Sequence, residues 1–540
     1  MSLRDPKKEW VIILCIIAIA IFFRFYQLDL TPPGLWPDEA ANGVDALKAL
    51  DNHDFKIFYP ANNGREGSFI NLQALSIYLF GATPLSLRLV SAIMGVLTVI
   101  GLYFLARELF NRRIAYMASF FLAISFWHVS FSRIGFRAIM LPLILVWAFY
   151  FLWRGLRSGR FNEFLMAGVI GGLGFYTYFS FRIAPLIVLA VFANHWLYLK
   201  KDFLRAKYEY ARNQLLRGFA LLMLTVIIIS LPLGVYFYTH QRDFLKREGR
   251  PISVFAQEQP LKELGLSTIK TLGMFNFVGD HNQRHNIPGW PQLSLPIGLF
   301  FAIGFLRELS HWLHRKHGHF STLHTFLFSW FFVMLLPGFL STEAPHALRT
   351  IGVVPVVMIF AAQGFWWLID LVARLHQSSD PHFRANKLVY KKESRFIVSL
   401  TILIFVASLG FLEYSRYFKI WALEPSLPDA FSQKLVNIAG YLNGSGPALA
   451  KYILVNEGDV LVDNVPNNAQ TIKFLTRTHS NECSTNKNIY YLRPDQLSST
   501  QFPNKYLMIP LADNEQLRWT LQSSLGLNYE KIGSVDVYSR

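Results

Sequence analysis

Cysteine is nearly missing from this chain: its 540 residues include two, Cys15 and Cys483. Cys15 lies in the first apolar run and Cys483 near the C-terminus, so no disulfide framework is expected. Charge is scarce as well. Asp, Glu, Lys and Arg make up 16% of the residues, against about 25% in a soluble globular protein. With 52% hydrophobic residues, that shortage excludes a disordered, collagenous or disulfide-stapled chain. A mean hydropathy of +0.29 points to an integral membrane protein.

Acidic residues are the scarcer charge, 35 against 52 basic ones, which gives a formal net charge of +17. A basic balance can signal nucleic acid. Here the Lys and Arg residues are dispersed between apolar runs, the pattern of basic cytoplasmic loops. Nucleic acid is therefore not an expected partner.

A spanning helix needs about 20 mostly apolar residues. Eleven spans are expected, at 10–28, 85–106, 114–131, 139–153, 164–178, 183–199, 219–238, 293–306, 323–340, 351–373 and 396–412. The first follows Arg4, Lys7 and Lys8, as a signal peptide would, and Ala18-Ile19-Ala20 has the A-x-A form. The apolar run continues through Ile21, Phe22 and Phe23, so an uncleaved helix with a cytoplasmic N-terminus is the reading.

The segment SFINLQALSIYLFG, 68–81, is short for a span. If it lies along the membrane surface, the basic loops all fall inside. These carry Arg107/Arg112/Arg113, Arg154/Arg157/Arg160, Lys200/Lys201/Arg205/Lys207, Arg307/Arg315/Lys316 and Arg384/Lys387/Lys391/Lys392. If it spans, all of them move outside, against the positive-inside rule. An interfacial helix is expected. The first outer loop is then 29–67 and the long outer loop 239–292, with shorter outer loops at 132–137, 180–182 and 341–349.

The C-terminal part, 413–540, also falls outside. Helix-like stretches (430–442, 469–476, 515–525) alternate with strand-like ones (460–465, beginning at Val460, then 489–492, 506–509 and 532–538). A small extracytoplasmic α/β domain is expected, behind a helical membrane domain at 1–412.

The outer loops hold most of the candidate chemistry. In GLWPDEAANG, Asp38 and Glu39 open a helix-like stretch. Asp38 suits a helix cap, and the pair equally suits a base or a cation site. Arg65 and Glu66 enter the interfacial helix; Arg133 and Arg137 lie in FSRIGFRA; Tyr176, Tyr178 and Arg182 lie in FYTYFSFRIAP. The long loop carries Asp280, His281, Arg284 and His285, and STEAPHALRTIG carries Glu343, His346 and Arg349. A single arginine at a helix end usually snorkels to headgroups. Arg133, Arg137, Arg182, Arg284 and Arg349 together suggest an anionic ligand, since the guanidinium fork suits phosphate. The three histidines with nearby acids offer ligands to a divalent metal, although their spacing matches no zinc motif.

RFYQLDLTPPGLWPDEAANG, FINLQALSIYLFG and LSLRLVSAIMGVLTVIGLYFLARELFNRRIAYMASFFLAISFWHVSFSR occur in that order. This arrangement resembles the GT-C-fold, polyprenyl-phosphate-dependent glycosyltransferases, the protein O-mannosyltransferase and aminoarabinose transferase superfamily (glycosyltransferase family 39-like). The resemblance covers about the first 200 residues well, weakens to about residue 370 and is absent from the C-terminal part. It implies transfer of a sugar from a polyprenyl-phosphate donor to a protein, lipid or glycan acceptor outside the cytoplasm, with inversion. Asp38 matches the acidic catalytic position, a general base, and Glu39 the second acid, which supports Asp38 or a cation. A divalent metal at Asp38 and Glu39 is the one cofactor so implied.

The chain departs from the family twice. It has Gly64-Arg65-Glu66-Gly67 where members often have a Lys/His-Pro-Pro-type turn, and Arg137 where many carry an acid. The expected donor-phosphate set is Arg137 and Arg182, with Arg133, Arg349 and Arg284 in support. Arg65, Glu66, Tyr176, Tyr178, Asp280, His281, His285 and His346 are expected to line the substrate site. The alternatives are a lipid-linked-sugar transporter or flippase, and a GT-C polymerase or ligase using a diphosphate-linked donor. Transporters place ionisable groups at mid-membrane depth; here they cluster at the outer ends, which favours the enzyme.

Overall fold

The computed structural model describes residues 6–202, 205–245, 253–314, 319–379, 389–457, 461–462 and 465–540. Arg4, Arg315, Lys316, Arg384, Lys387 and Val460, named above, lie outside the described residues. The N-terminal half runs α1 (Pro6–Phe25), α2 (Pro37–Asn52), β1 (Phe58–Tyr59), β2 (Arg65–Glu66), α3 (Gly67–Phe80), α4 (Pro84–Leu109), α5 (Arg112–Ile124) and α6 (Phe126–Ser132). It continues through α7 (Met140–Ser158), α8 (Phe161–Gly174), α9 (Pro185–Asp202), α10 (Arg205–Thr239), α11 (Gln241–Leu245) and α12 (Pro260–Gly273). Then come α13 (Leu295–His314), α14 (His319–Phe339), α15 (Val354–Ser379) and α16 (Val389–Tyr414).

Among the described residues, seven helices are long and apolar enough to cross a membrane, or eight if α5 and α6, bent by 58° at Ser125, form one span. This is an integral, multi-pass membrane protein. The count falls below the expected eleven for physical reasons. α1 carries Lys7, Lys8, Glu9 and Arg24 within its length. α13 carries Arg307 and Glu308 in its second half. α8 has 14 residues, about 21 Å of helix against a hydrocarbon core of about 30 Å.

α3 also has 14 residues, with Tyr78, Leu79 and Phe80 exposed at its end. Glu9, near the start of α1, accepts from Arg107 and Arg112, each at 2.9 Å. The start of α1 and the α4–α5 turn therefore meet on one face of the protein.

The helices pack through aromatic side chains, with Trp127 and Trp330 fully buried. The C-terminal part follows with α17 (Leu427–Ala430), α18 (Gln433–Gly444), β3 (Ala450–Leu454), β4 (Leu461–Val462), β5 (Val465–Pro466), α19 (Ala469–Leu475) and α20 (Asn481–Asn486). β6 (Ile489–Leu492), β7 (Tyr506–Pro510), α21 (Glu515–Leu525), β8 (Asn528–Ile532) and β9 (Val535–Ser539) complete it. Five strands form one mixed sheet in the order β6-β3-β7-β9-β8. β3 pairs parallel with β6 and β7, while β9 is antiparallel to both neighbours. The single strand expected at 532–538 is a hairpin instead. Gly533, at φ +60°, turns the chain between β8 and β9.

The sheet unit is rooted on α2. Phe474 of α19 is fully buried among Leu35, Val44 and Leu87. A Cβ at position 43 would sit 2.6 Å from the Phe474 ring, so Gly43 permits this close packing of α19 on α2. The contact brings the C-terminal unit to the end of α2 that holds the acidic pair.

Candidate active site

Pro37 takes the first position of α2, where its missing N–H costs nothing. The N-cap is Trp36, whose side chain makes no capping bond. Asp38 is thus inside the first turn and is not the cap. Its carboxylate accepts from Trp36 Nε1 at 3.3 Å, Asn62 Nδ2 at 2.9 Å and Asn467 Nδ2 at 3.0 Å. It lines a cavity of about 580 Å³.

Glu39 points elsewhere. It is fully buried, and its Oε2 accepts from the Gly135 amide at 2.6 Å and Arg88 Nε at 3.3 Å. Arg88 spends its other nitrogens on the carbonyls of Pro32 and Gly34, each at 2.7 Å. Glu39 therefore braces the loops around Asp38 and does not line the cavity.

Glu66 ends β2 and is also fully buried. Two arginines from different loops converge on it. Arg137 Nε donates at 3.0 Å, and the Arg182 guanidinium stands 3.8 Å away. Arg137 lies over the Tyr178 ring at 5.7 Å, and Arg182 over Phe179 at 4.7 Å and Phe237 at 5.0 Å. Both arginines and Tyr178 line the same cavity as Asp38. Cation–π contacts and one shared carboxylate hold the two guanidinium groups in place. Arg137 meets Glu66 through Nε and lines the cavity.

Arg65 lines the cavity too, but its donors are spent on Asn42 at 2.8 Å, Ala61 at 3.3 Å and Asp45. Burial lowers its guanidinium from the ordinary value, with Asp45 opposing. Arg349, another lining residue, is paired with Glu343 and Ser341.

A second chamber of about 420 Å³ shares Asp38, Phe136, His346 and Leu348 with the first. Arg284 stacks over the Trp36 ring at 3.6 Å there. Burial lowers its guanidinium from the ordinary value, and Asp38 and Asp280 oppose that. Asp280 Oδ2 accepts from His285 Nδ1 at 3.0 Å and the Ala347 amide at 2.8 Å, with His346 Nδ1 at 3.8 Å. Burial works to raise the Asp280 carboxyl, yet the His285 bond and the two imidazoles bring it below its ordinary value. Burial, with His285 beside it, lowers the His346 imidazole to about 3.

Five expected residues line neither chamber: Glu39 and Glu66, buried as described above, and Arg133, Tyr176 and His281. Arg133 is fully buried and donates to the carbonyls of Phe23, Tyr26, Gln27 and Thr31 at 2.7–3.1 Å. It also lies over the Tyr417 and Phe418 rings. It ties the end of α1 to α6 instead of facing a phosphate. The Tyr176 hydroxyl donates to the Ile229 carbonyl at 2.7 Å. His281 is exposed on the long loop and lines neither chamber.

The metal expectation at Asp38 and Glu39 does not fit the geometry. Every hydrogen-bond partner of the two carboxylates described here is an N–H donor, and they face different surroundings. Asp280, His285 and His346 fit better: one oxygen and two imidazole nitrogens lie within 4.8 Å of one another. Oxygen and imidazole donors suit a divalent cation such as zinc.

Sequence reasoning missed Asn62 and Asn467 on Asp38, and Arg88 on Glu39. Arg88 carried a readable signal, an arginine inside the apolar run LSLRLV. Asn62 and Asn467 carried none, because polar residues in loops are ordinary.

Residues 69–233 match the family model of dolichyl-phosphate-mannose-protein mannosyltransferases. A putative mannosyltransferase of Bacillus subtilis, YkcB, is 26% identical over 201 residues, which is 35% of this chain and 27% of that protein. The matched segment spans about a quarter of the length of that curated relative. Among solved structures, ArnT from Cupriavidus metallidurans bound to undecaprenyl phosphate is similar over 98% of both chains, at a TM-score of 0.61 and 14% identity. The Archaeoglobus fulgidus oligosaccharyltransferase tethered to an acceptor peptide is similar over 92% of this chain and 65% of its own. That match has a TM-score of 0.51 and 16% identity. The protein has the GT-C fold.

Proposed function

We propose that this protein is a membrane glycosyltransferase that moves a sugar from a polyprenyl-phosphate donor to an acceptor outside the cytoplasm. The observation that carries the reading is one cavity lined by Asp38, Arg137 and Arg182 and joined to a second chamber through Asp38. ArnT, whose solved structure holds undecaprenyl phosphate, supports the donor class.

In this reading the donor phosphate lies on Arg137 and Arg182, and its prenyl chain leaves along apolar lining residues such as Phe179, Ile183 and Leu340. The acceptor enters the second chamber. Its oxygen attacks the anomeric carbon as the bond from that carbon to the phosphate oxygen breaks. Asp38 takes the acceptor proton, and attack opposite the leaving group inverts the anomeric carbon. Negative charge grows on the departing phosphate, so fixed guanidinium groups stabilise the transition state more than the ground state. Asn62 and Asn467 hold the Asp38 carboxylate in one orientation. The Asp280, His285 and His346 set would hold a divalent cation, which would offer positive charge to an anionic acceptor. The N-terminus is cytoplasmic and the cavity opens on the other face.

The test incubates purified protein with a panel of polyprenyl-phosphate sugars and measures released lipid phosphate. Release with at least one sugar is expected. Turnover only with a diphosphate-linked glycan would favour a polymerase or ligase, and transbilayer movement without cleavage a flippase.

A further inference from the structure

The C-terminal unit meets the first outer loop where α19 packs on α2. Two polar contacts bracket that packing. At one end Asn467 reaches Asp38 at 3.0 Å. At the other, Asp51 in the last turn of α2 meets His479 Nε2 at 2.5 Å. Cys483 stands on the same nitrogen, its Sγ 3.9 Å from His479 Nε2. One oxygen, one nitrogen and one sulfur thus lie within 4.8 Å of one another.

The geometry decides between two uses of such a trio. An activated nucleophile places the thiol on one ring nitrogen and the orienting acid on the other. Here acid and thiol both converge on Nε2, as ligands around a metal do. Tetrahedral zinc, with Zn–S of about 2.3 Å and Zn–N of about 2.0–2.1 Å, sets an S···N edge of roughly 3.5 Å. The observed separation is close to that. The Asp51 oxygen must move outward by about 1 Å to reach its own edge, and its side chain is 55% exposed, so it can. His479 and Cys483 stand four residues apart across the start of α20. The Ser480 hydroxyl accepts from the Cys483 amide at 3.2 Å and fixes that turn. His479 is 7% exposed, which keeps the site shielded on one side and open at Asp51.

We propose that Asp51, His479 and Cys483 form a site for a zinc-class divalent cation that fastens the C-terminal unit to the end of α2. On binding, the proton between His479 Nε2 and Asp51 moves to the ring's Nδ1, the Cys483 thiol gives its proton to solvent and ligates as the thiolate, and water takes the fourth position. The cation holds α19 against α2 and so holds Asn467 against Asp38. This inference does not rest on the proposed reaction.

The test uses the full-length protein in lipid nanodiscs, stripped of metal and titrated with Co²⁺. One equivalent should produce a thiolate-to-cobalt charge-transfer band. The band should vanish in Cys483→Ser, weaken strongly in His479→Ala and persist in His346→Ala, whose cluster has no sulfur. Zn²⁺ should bleach the band and slow maleimide labelling of Cys483 by about tenfold or more, because the ligated thiolate is no longer a free nucleophile. No band in the parent protein, or a band that survives Cys483→Ser, overturns the proposal. Unchanged labelling with Zn²⁺ overturns it as well.

Discussion

Two neighbouring polar regions use the same residue types and spend them differently. Around Glu39, Arg88 and Arg133, every charge is turned onto the protein: a carboxylate, a backbone amide and six carbonyl oxygens. Around Asp38, Arg137 and Arg182, the charges are held by a few fixed partners, the buried Glu66 among them, and still line open space. Asp38 and Glu39 are adjacent in the chain, and Arg133 and Arg137 are one helical turn's worth of residues apart. What separates bracing from ligand-facing groups is therefore burial and partner count, and residue type says little.

The comparison predicts two kinds of failure. The largest effect on turnover is expected from Asp38→Asn. General-base assistance is worth about 10²–10⁴-fold, and the variant should keep the parent Tm; near-normal transfer would return Asp38 to a purely structural role. Arg88→Met should do the reverse. It strands the Glu39 carboxylate, and breaking a buried pair costs about 3–5 kcal/mol. Unfolding followed in detergent should show that loss, and a Tm equal to the parent's would erase the contrast between the regions. Arg182→Lys keeps the charge and loses the fork. A charge-assisted hydrogen bond contributes about 1.5–3 kcal/mol, so kcat/KM should fall roughly 10- to 100-fold. An effect within twofold would mean the phosphate is bound elsewhere. The smallest effect is expected from Asn467→Ala. One neutral donor contributes about 0.5–1.5 kcal/mol, a few-fold loss in kcat with folding intact. No change would detach the C-terminal unit from the chemistry.

The sequence made the membrane class and the 14-residue apolar helix α3 readable, because hydropathy is summed over many residues. Span counting was less secure where a helix mixes charge with apolar length, as α1 and α13 do. At the site, spacing could place Arg133 and Arg137 together at one end of a span but could not say which one faces the cavity. That choice depends on carbonyls of residues 23–31 folding over Arg133, a contact more than 100 residues away in the chain. Asn467 lies 429 residues from Asp38, and no local pattern announces such a partner. The pairing of Arg137 and Arg182 on Glu66 likewise exists only once three separate segments of the chain meet.

The most direct measurement is the Kd of a polyprenyl phosphate for the parent protein, Arg137→Lys and Arg133→Lys, each checked for an unchanged Tm in lipid nanodiscs. The account predicts roughly tenfold or weaker binding for Arg137→Lys, in line with the loss of a charge-assisted bond, and parent-like binding for any folded Arg133→Lys. Equal affinity for the parent and Arg137→Lys, or a loss confined to Arg133→Lys, would contradict it.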